Sequence, residues 1–287
     1  MVAYSILMSV YAKENPVFLK QAVRSMLAQN EAPQELVLVC DGPLTEALDE
    51  VISAFAEEYG EKFRVLRLAE NRGLAAALNA GLEICQCEYV ARMDSDDIAL
   101  PHRVSTEFSL MEKTGATLVS STVSEFNTPM IPENMAFSEI AKETFLNRLP
   151  RRMLPETDAE IRAFSRKRNP MNHPAVLMKK SEVLRAGGYR EDYPYFEDYD
   201  LWLRMLKNGT KAANCPQTLV LMRTDEGMYA RRGGAQYRKY MRAFRKRMLR
   251  EGDCSRMDYI KTVNLHTLVA LLPSGMRKKL YGKALRK

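Results

Sequence analysis

At 287 residues the chain can bury one large α/β core with an appendage, and 46% apolar against 28% charged residues is an ordinary globular balance. No apolar run approaches the roughly 20 residues that cross a bilayer, and nothing near Met1 reads as a signal peptide, which predicts a chain on the cytoplasmic side with no membrane span. The net charge of +7 hides an asymmetry: residues 229–287 hold 17 Lys and Arg against 3 Asp and Glu, so a basic tail of +14 follows a body of −7.

In chain order, Tyr4–Val10 reads as a strand and Pro16 to Gln29 as a helix entered through Asn15. Glu35–Cys40, Phe63–Leu68 and Glu88–Met93 are further short runs of β-branched and apolar residues. Helical periodicity separates them over Leu44 to Tyr59 and Leu74 to Ile84, and resumes from Pro101 to Lys113. Alternation of this kind predicts an α/β fold with a Rossmann-like, mostly parallel sheet covered on both faces. Ligands bind such sheets beyond the carboxyl ends of the strands, where Asp41 and Asp94 lie. From Ser121 to about Phe164 the pattern weakens and four prolines appear, which predicts a loop-rich insertion with one helix over Ser138 to Leu146. A strand at Ala175–Met178 follows, then a helix from Ser181 to Ala186 stopped by Gly187–Gly188, and a helix from Glu197 to Lys207. From Ala235 onward the pattern is helical and basic. The expected division is a body, residues 1–228, with halves at 1–120 and 121–228, and a tail, residues 229–287.

Five scattered cysteines without zinc-ligand spacing predict buried, reduced thiols. The chemistry concentrates elsewhere. Asp94-Ser95-Asp96-Asp97 places three carboxylates within four residues, a cluster that repels itself unless a hard divalent cation lies among the oxygens. Alone it could equally be an acidic turn capping the next helix. It stands, however, in an ordered series: S-V-Y at Ser9–Tyr11, V-C-D-G-P at Val39–Pro43, N-R-G-L-A-A-A-L-N-A-G at Asn71–Gly81 and M-D-S-D-D with P-H-R up to Arg103. N-H-P at Asn172–Pro174, G-G-Y-R at Gly187–Arg190 and F-E-D-Y-D-L-W-L-R at Phe196–Arg204 complete it.

Over about Ala3 to Met222 this series resembles the family 2 glycosyltransferases of GT-A fold, and in particular bacterial enzymes of amylovoran, capsule and O-antigen synthesis. The resemblance implies an inverting, metal-dependent transferase that moves a hexose from a UDP-sugar, with residues 1–120 as donor half and 121–228 as acceptor half. It implies that Tyr11 and Glu14 border the nucleotide base, that Asp41 accepts from the uracil imide, and that Asn71, Arg72 and Gly73 wrap the nucleotide. It places Asp94 and Ser95 near the ribose or the metal and makes Asp96 the main ligand of Mn2+ or Mg2+. By the same resemblance Asp198 is the base that takes the acceptor's proton, and Glu197 shapes the acceptor site. His173 would line the donor diphosphate, complete the metal shell, or be a structural turn residue. Arg103 could pair with one of the acidic-motif carboxylates, and Trp202 reads as core.

Tyr237 to Arg250 interleaves cations with large apolar groups, and Tyr259 to Leu272 is apolar. Basic amphipathic helices lie in membrane interfaces and are drawn to anionic lipid, so the tail predicts a peripheral enzyme on the inner face of the cell membrane. The polyprenyl-diphosphate-linked acceptors that the resemblance implies would lie there. No nucleic-acid module accompanies the charge, so nucleic acid is not expected as a partner. The rivals are a sugar-1-phosphate nucleotidyltransferase, which would want a Gly-rich loop that S-V-Y-A-K-E-N-P lacks, and a non-catalytic adaptor acting through the tail.

Overall fold

The structure is a computed structural model that describes residues 2–133, 135–224, 234–272 and 276. Its elements in chain order are β1 (Tyr4–Val10), α1 (Pro16–Leu27), β2 (Glu35–Cys40), α2 (Glu46–Tyr59), β3 (Phe63–Arg67), α3 (Leu74–Ile84), β4 (Tyr89–Met93), β5 (Ile98–Ala99), α4 (Arg103–Thr114) and β6 (Leu118–Phe126). Then come α5 (Phe137–Ile140), α6 (Glu143–Leu146), β7 (Arg151–Arg152), α7 (Asp158–Ser165), β8 (Val176–Lys179), α8 (Lys180–Arg185), α9 (Glu197–Lys207) and β9 (Ala212–Arg223). Two helices close the described chain, α10 (Gly234–Arg250) and α11 (Arg256–Leu271).

All strands join one sheet in the order β3-β2-β1-β4-β8-β6-β9-β5, with β7 paired to β6. The first four run parallel, as the alternation of strand and helix requires, because a parallel pair needs a crossover between its members. β8 enters antiparallel to both β4 and β6, while β6 and β9 are parallel. Alternation along β1 sends Tyr4, Ile6, Met8 and Val10 to one face, where α1, α2 and α4 pack. Leu7 points to the other face, which is covered by α3, α8 and α9 with Trp202 fully buried. The sheet is therefore covered on both faces, and the carboxyl ends of β1, β2 and β4 open at one edge of the layered core.

The expected loop-rich insertion proves more regular. β6 runs through to Phe126, α7 covers Asp158–Ser165, and the expected single helix over 138–146 is split into α5 and α6. β6 is LVSSTVSEF and shows no apolar alternation: Ser120, Ser121, Thr122 and Ser124 are all buried, and Ser120, Ser121 and Ser124 satisfy their hydroxyls on Asn172, Thr122 and Thr218. β9 carries Pro216, which is tolerated because Pro216 and Gln217 are exposed where the β6–β9 register slips.

The division expected between 228 and 229 lies outside the described residues. Beyond it, α10 packs on α9: Tyr237, Met241, Phe244 and Met248 meet Phe196, Tyr199 and Leu203. Phe244 stacks on Phe196 at 5.0 Å between ring centroids. The apolar groups of α10 are thus spent on the body, and its exposed side is cationic. The five cysteines are buried and unpaired. Among the described residues no helix is long and apolar enough to cross a membrane.

Candidate active site

The acidic motif begins one residue past β4, and the fold grips its loop from three sides. Arg92, the penultimate residue of β4, points into the core with its side chain only 1% exposed and forms an ion pair with Asp94. Ser95 Oγ donates to Glu14 Oε2 at 2.5 Å. From the end of β9, the Arg223 amide donates to Asp97 Oδ1 at 2.7 Å and its Nε to the Asp96 carbonyl at 2.8 Å. Arg223 is in turn fixed by Gln21 Oε1 at 2.9 Å and by the Phe18 ring, 3.8 Å from guanidinium carbon to centroid. Arg103 does not reach the acidic motif as expected: it pairs with Glu107 at 3.1 Å and donates to the Arg92 carbonyl, so it props the strand from beneath.

Burial, together with the neighbouring Asp94 and Glu14 carboxylates, pushes Asp96 up to about 7. Burial and the charges of Asp96 and Asp94 push Asp97 well above the ordinary carboxylate range. Such crowding of hard oxygen donors is what a divalent cation relieves, so Asp94 and Asp96 fit one. Among the described residues no three His, Cys, Asp or Glu groups converge as a complete metal cage. The remaining ligands would have to come from a substrate diphosphate and water. Glu14, expected beside the nucleotide base, meets the acidic loop through Ser95.

Asp41 follows β2 and ties its own loop to the one that leads into α3. Its Oδ1 accepts from the Arg72 amide at 2.7 Å and its Oδ2 from the Gly73 amide at 3.0 Å, while Asn71 Nδ2 donates to its carbonyl at 3.1 Å. Asp41 is 5% exposed, so it first holds the N-terminus of α3 in place and has only its second lone pairs left for a ligand. Gly42, at φ +84°, lets the loop pass so close that a Cβ there would meet the Asn71 nitrogen at 2.6 Å. Tyr11 is exposed at the mouth of β1, and the Arg72 guanidinium extends outward to Glu191 at 3.6 Å. Asp41, Asn71, Arg72 and Gly73 are thus brought together, with Tyr11 at the neighbouring strand end.

Glu197 and Asp198 occupy the first turn of α9, where the helix dipole favours negative charge. Burial nevertheless pushes both up: Glu197 reaches about 7, with Asp198 adding to the effect, and Asp198 rises against the opposing hydrogen bonds it accepts. Those bonds come from Asn169 Nδ2 to Oδ2 at 2.6 Å and from the Tyr199 amide to Oδ1 at 2.7 Å. Glu197 Oε2 is buried without a hydrogen-bond partner. Asp200, farther around the helix, is turned into the core against Arg204 at 2.7 Å and Arg247 at 3.2 Å. His173 has its Nε2 3.0 Å from the Tyr189 hydroxyl and its ring edge-on to Trp202. Burial and the Arg92 charge hold its imidazole well below the usual range, so it is neutral at pH 7.

The sequence reading passed over Arg92, Asn169 and Arg223. Arg92 lies within electrostatic reach of Asp94, Asp97, Glu197, Asp198 and His173, and its Nε and Nη1 are buried without partners. A cation at a core-facing position of the run EYVARM, two residues before a carboxylate cluster, was the available signal. Asn169 and Arg223 have no local signature, because their partners are 29 and more than 120 residues away.

The family model described as glycosyl transferase family 2 matches residues 5–167. A UDP-Gal:alpha-D-GlcNAc-diphosphoundecaprenol beta-1,3-galactosyltransferase of Escherichia coli is 35% identical over 285 residues, which cover 99% of this chain and 97% of the relative. The amylovoran biosynthesis glycosyltransferase AmsE of Erwinia amylovora is 38% identical over 236 residues, 82% of each chain. Among solved structures, the mannosyltransferase PcManGT of Pyrobaculum calidifontis in complex with GDP-Man and Mn2+ matches with TM-score 0.63 at 15% identity, over 98% of this chain and 75% of that one. S. aureus TarS 1–349 in complex with UDP-GlcNAc matches with TM-score 0.59 at 15% identity, over 97% and 70%. These two likenesses bear on the fold alone.

Proposed function

The chain belongs to glycosyl transferase family 2, and from that premise we propose that it moves a hexose with inversion from a UDP-sugar to a hydroxyl of a saccharide carried on a polyprenyl diphosphate. In one in-line displacement the acceptor oxygen bonds to the anomeric carbon as the bond to the donor diphosphate breaks. The acceptor's proton passes to a carboxylate, and UDP leaves. Asp198 is that carboxylate: Asn169 and the Tyr199 amide aim it, and its raised proton affinity suits a group that must accept a proton near neutral pH. Asp41, Asn71, Arg72 and Gly73 seat the nucleotide, and Tyr11 borders the base. Glu14 and Ser95 fix the acidic loop, while His173, held neutral beside Tyr189, lines the space between donor and acceptor carboxylates. A divalent ion, Mn2+ or Mg2+, at Asp94 and Asp96 would neutralise charge on the departing diphosphate.

One observation carries this reading. Buried Arg92 stands between the acidic loop and the first turn of α9, so a donor-side and an acceptor-side carboxylate cluster share one cation. The 35% identity to a UDP-Gal-dependent transferase whose acceptor is a diphosphoundecaprenol saccharide supports the UDP donor and the lipid-linked acceptor. It also supports residence at the inner face of the membrane. The unpartnered Oε2 of Glu197 favours a second reading of the base, in which Glu197 takes the proton. The metal role is tested by thermal shift: UDP with Mn2+ stabilises the wild type more than UDP alone, and Asp96→Asn loses the increment. Equal stabilisation of wild type and variant removes Asp96 from the ligand set.

A further inference from the structure

The last described helix leaves one face without a partner. Met257, Ile260, Leu265, Leu268 and Leu271 on α11 are each 57 to 64% exposed. At 100° per residue these five fall within about 140° of arc. The opposite face is spent: Asp258, Thr262 and Ala270 are buried, and burial beside Arg245 and Arg168 pushes His266 down to about 4. So α11 does not lack packing; it is packed on one side, and its other side carries these five apolar groups with exposed Lys261 and Asn264 among them. An exposed apolar stripe of this extent marks an interaction site.

Its setting is cationic. Lys239, Arg242, Lys246 and Arg250 are exposed on α10, the helix that packs on α11, and their spacing of three and four residues gathers them on one face.

We propose that the apolar stripe of α11 is the seat by which this protein lies in an anionic lipid leaflet, with the cations of α10 meeting the headgroups. Charge decides the occupant. A second copy would bring another segment of net +14 against the first and be repelled, whereas an anionic leaflet attracts it. An amphipathic helix with an apolar face and cations beside it lies in the interface plane and does not cross it. The seat is also held in register with the chemistry, because α10 is clamped to α9 through Arg247 and Asp200 and through the Phe244–Phe196 stack. This deepens the proposed function by naming the element that meets the membrane holding the acceptor.

The experiment uses the full chain and vesicles without donor or acceptor, so its outcome is independent of whether glycosyl transfer is found. Wild type should sediment with phosphatidylglycerol-containing phosphatidylcholine vesicles, less with pure phosphatidylcholine, and less as salt rises. Leu265→Glu with Leu268→Glu, at exposed positions that leave the melting temperature unchanged, should lower partitioning about 100-fold, at about tenfold for each lost anchor. Lys239→Gln, Arg242→Gln and Lys246→Gln together should weaken the preference for anionic over neutral vesicles, and an unchanged preference overturns the role given to α10. Vesicle binding by the double leucine variant equal to wild type overturns the proposal. So does a wild-type dimer in sedimentation that the same variant converts to monomer, which would assign the stripe to a second copy.

Discussion

Arg92 is a single buried guanidinium serving carboxylates that chemistry needs in different states. Beside it Asp94 forms its ion pair, while burial pushes Glu197 up to about 7 and raises Asp198 above the ordinary aspartate value. Asp198→Asn keeps the shape and, on its Oδ1, the bond from the Tyr199 amide, but its Nδ2 cannot accept from Asn169 and the proton acceptor is gone. Turnover should fall about 100-fold or more, while UDP affinity by calorimetry stays near wild type, because the base acts on the acceptor. Near-normal turnover would move the role to Glu197. Because a carboxyl raised by burial must lose its proton before it can act, wild-type kcat/KM should decline as pH falls along a limb lying above the ordinary 3.8 of an aspartate. In Asp198→Asn the residual rate should lose that limb.

At the scale of elements, two motifs 110 residues apart lock together. Asn79 on α3 donates through Nδ2 to the Tyr189 carbonyl at 2.7 Å and accepts the Tyr189 amide on Oδ1 at 2.8 Å. Gly188, at φ +64°, makes room, since a Cβ there would stand 2.7 Å from Asn79 Oδ1. Gly188→Ala should therefore cost on the order of 1–3 kcal/mol, read as a lower melting temperature, and should disturb His173 through Tyr189. The sequence displayed both halves of this lock, the N-R-G-L and G-G-Y-R runs, but not that they touch, which is the kind of information periodicity does not hold. The elements of the first 115 residues were legible because apolar and β-branched runs there alternate cleanly with helical ones. β6 and β9 were not, because a buried strand that satisfies serines internally and one that carries a proline at a bulge look like loop. The acidic loop and the first turn of α9 were legible as charge concentrations. What holds them was not: Asn169, Arg223 and Arg92 act through partners distant in sequence or through burial that one residue type does not announce.

For the molecule as a whole, the basic C-terminal segment is less separate than its charge suggests. Arg247 is 1% exposed and reaches Asp200, Asp253 and Glu251, and Asp200 is shared with Arg204. Asp200→Asn leaves two buried guanidinium groups short of a counter-charge, and the loss should be about 3–5 kcal/mol in denaturant titrations. If α10 and α11 are continuous with the core, that loss appears in one shared transition; a separate early transition for the segment would show them to be an independent unit. A further consequence concerns the order in which the ribosome delivers the parts. Residues through Met93 complete the four parallel strands β1 to β4, and the loops at their carboxyl ends can form early on the growing chain. The helix bearing Glu197 and Asp198 emerges later with Phe196, Tyr199 and Leu203 uncovered and Asp200 only half paired. It remains so for some fifty residues of further synthesis, until α10 arrives to close over it. The nascent protein thus has the makings of the proposed nucleotide-sugar site well before the proposed base is in place, and loss of the final helices would leave an unfinished enzyme with a sticky flank rather than a trimmed one.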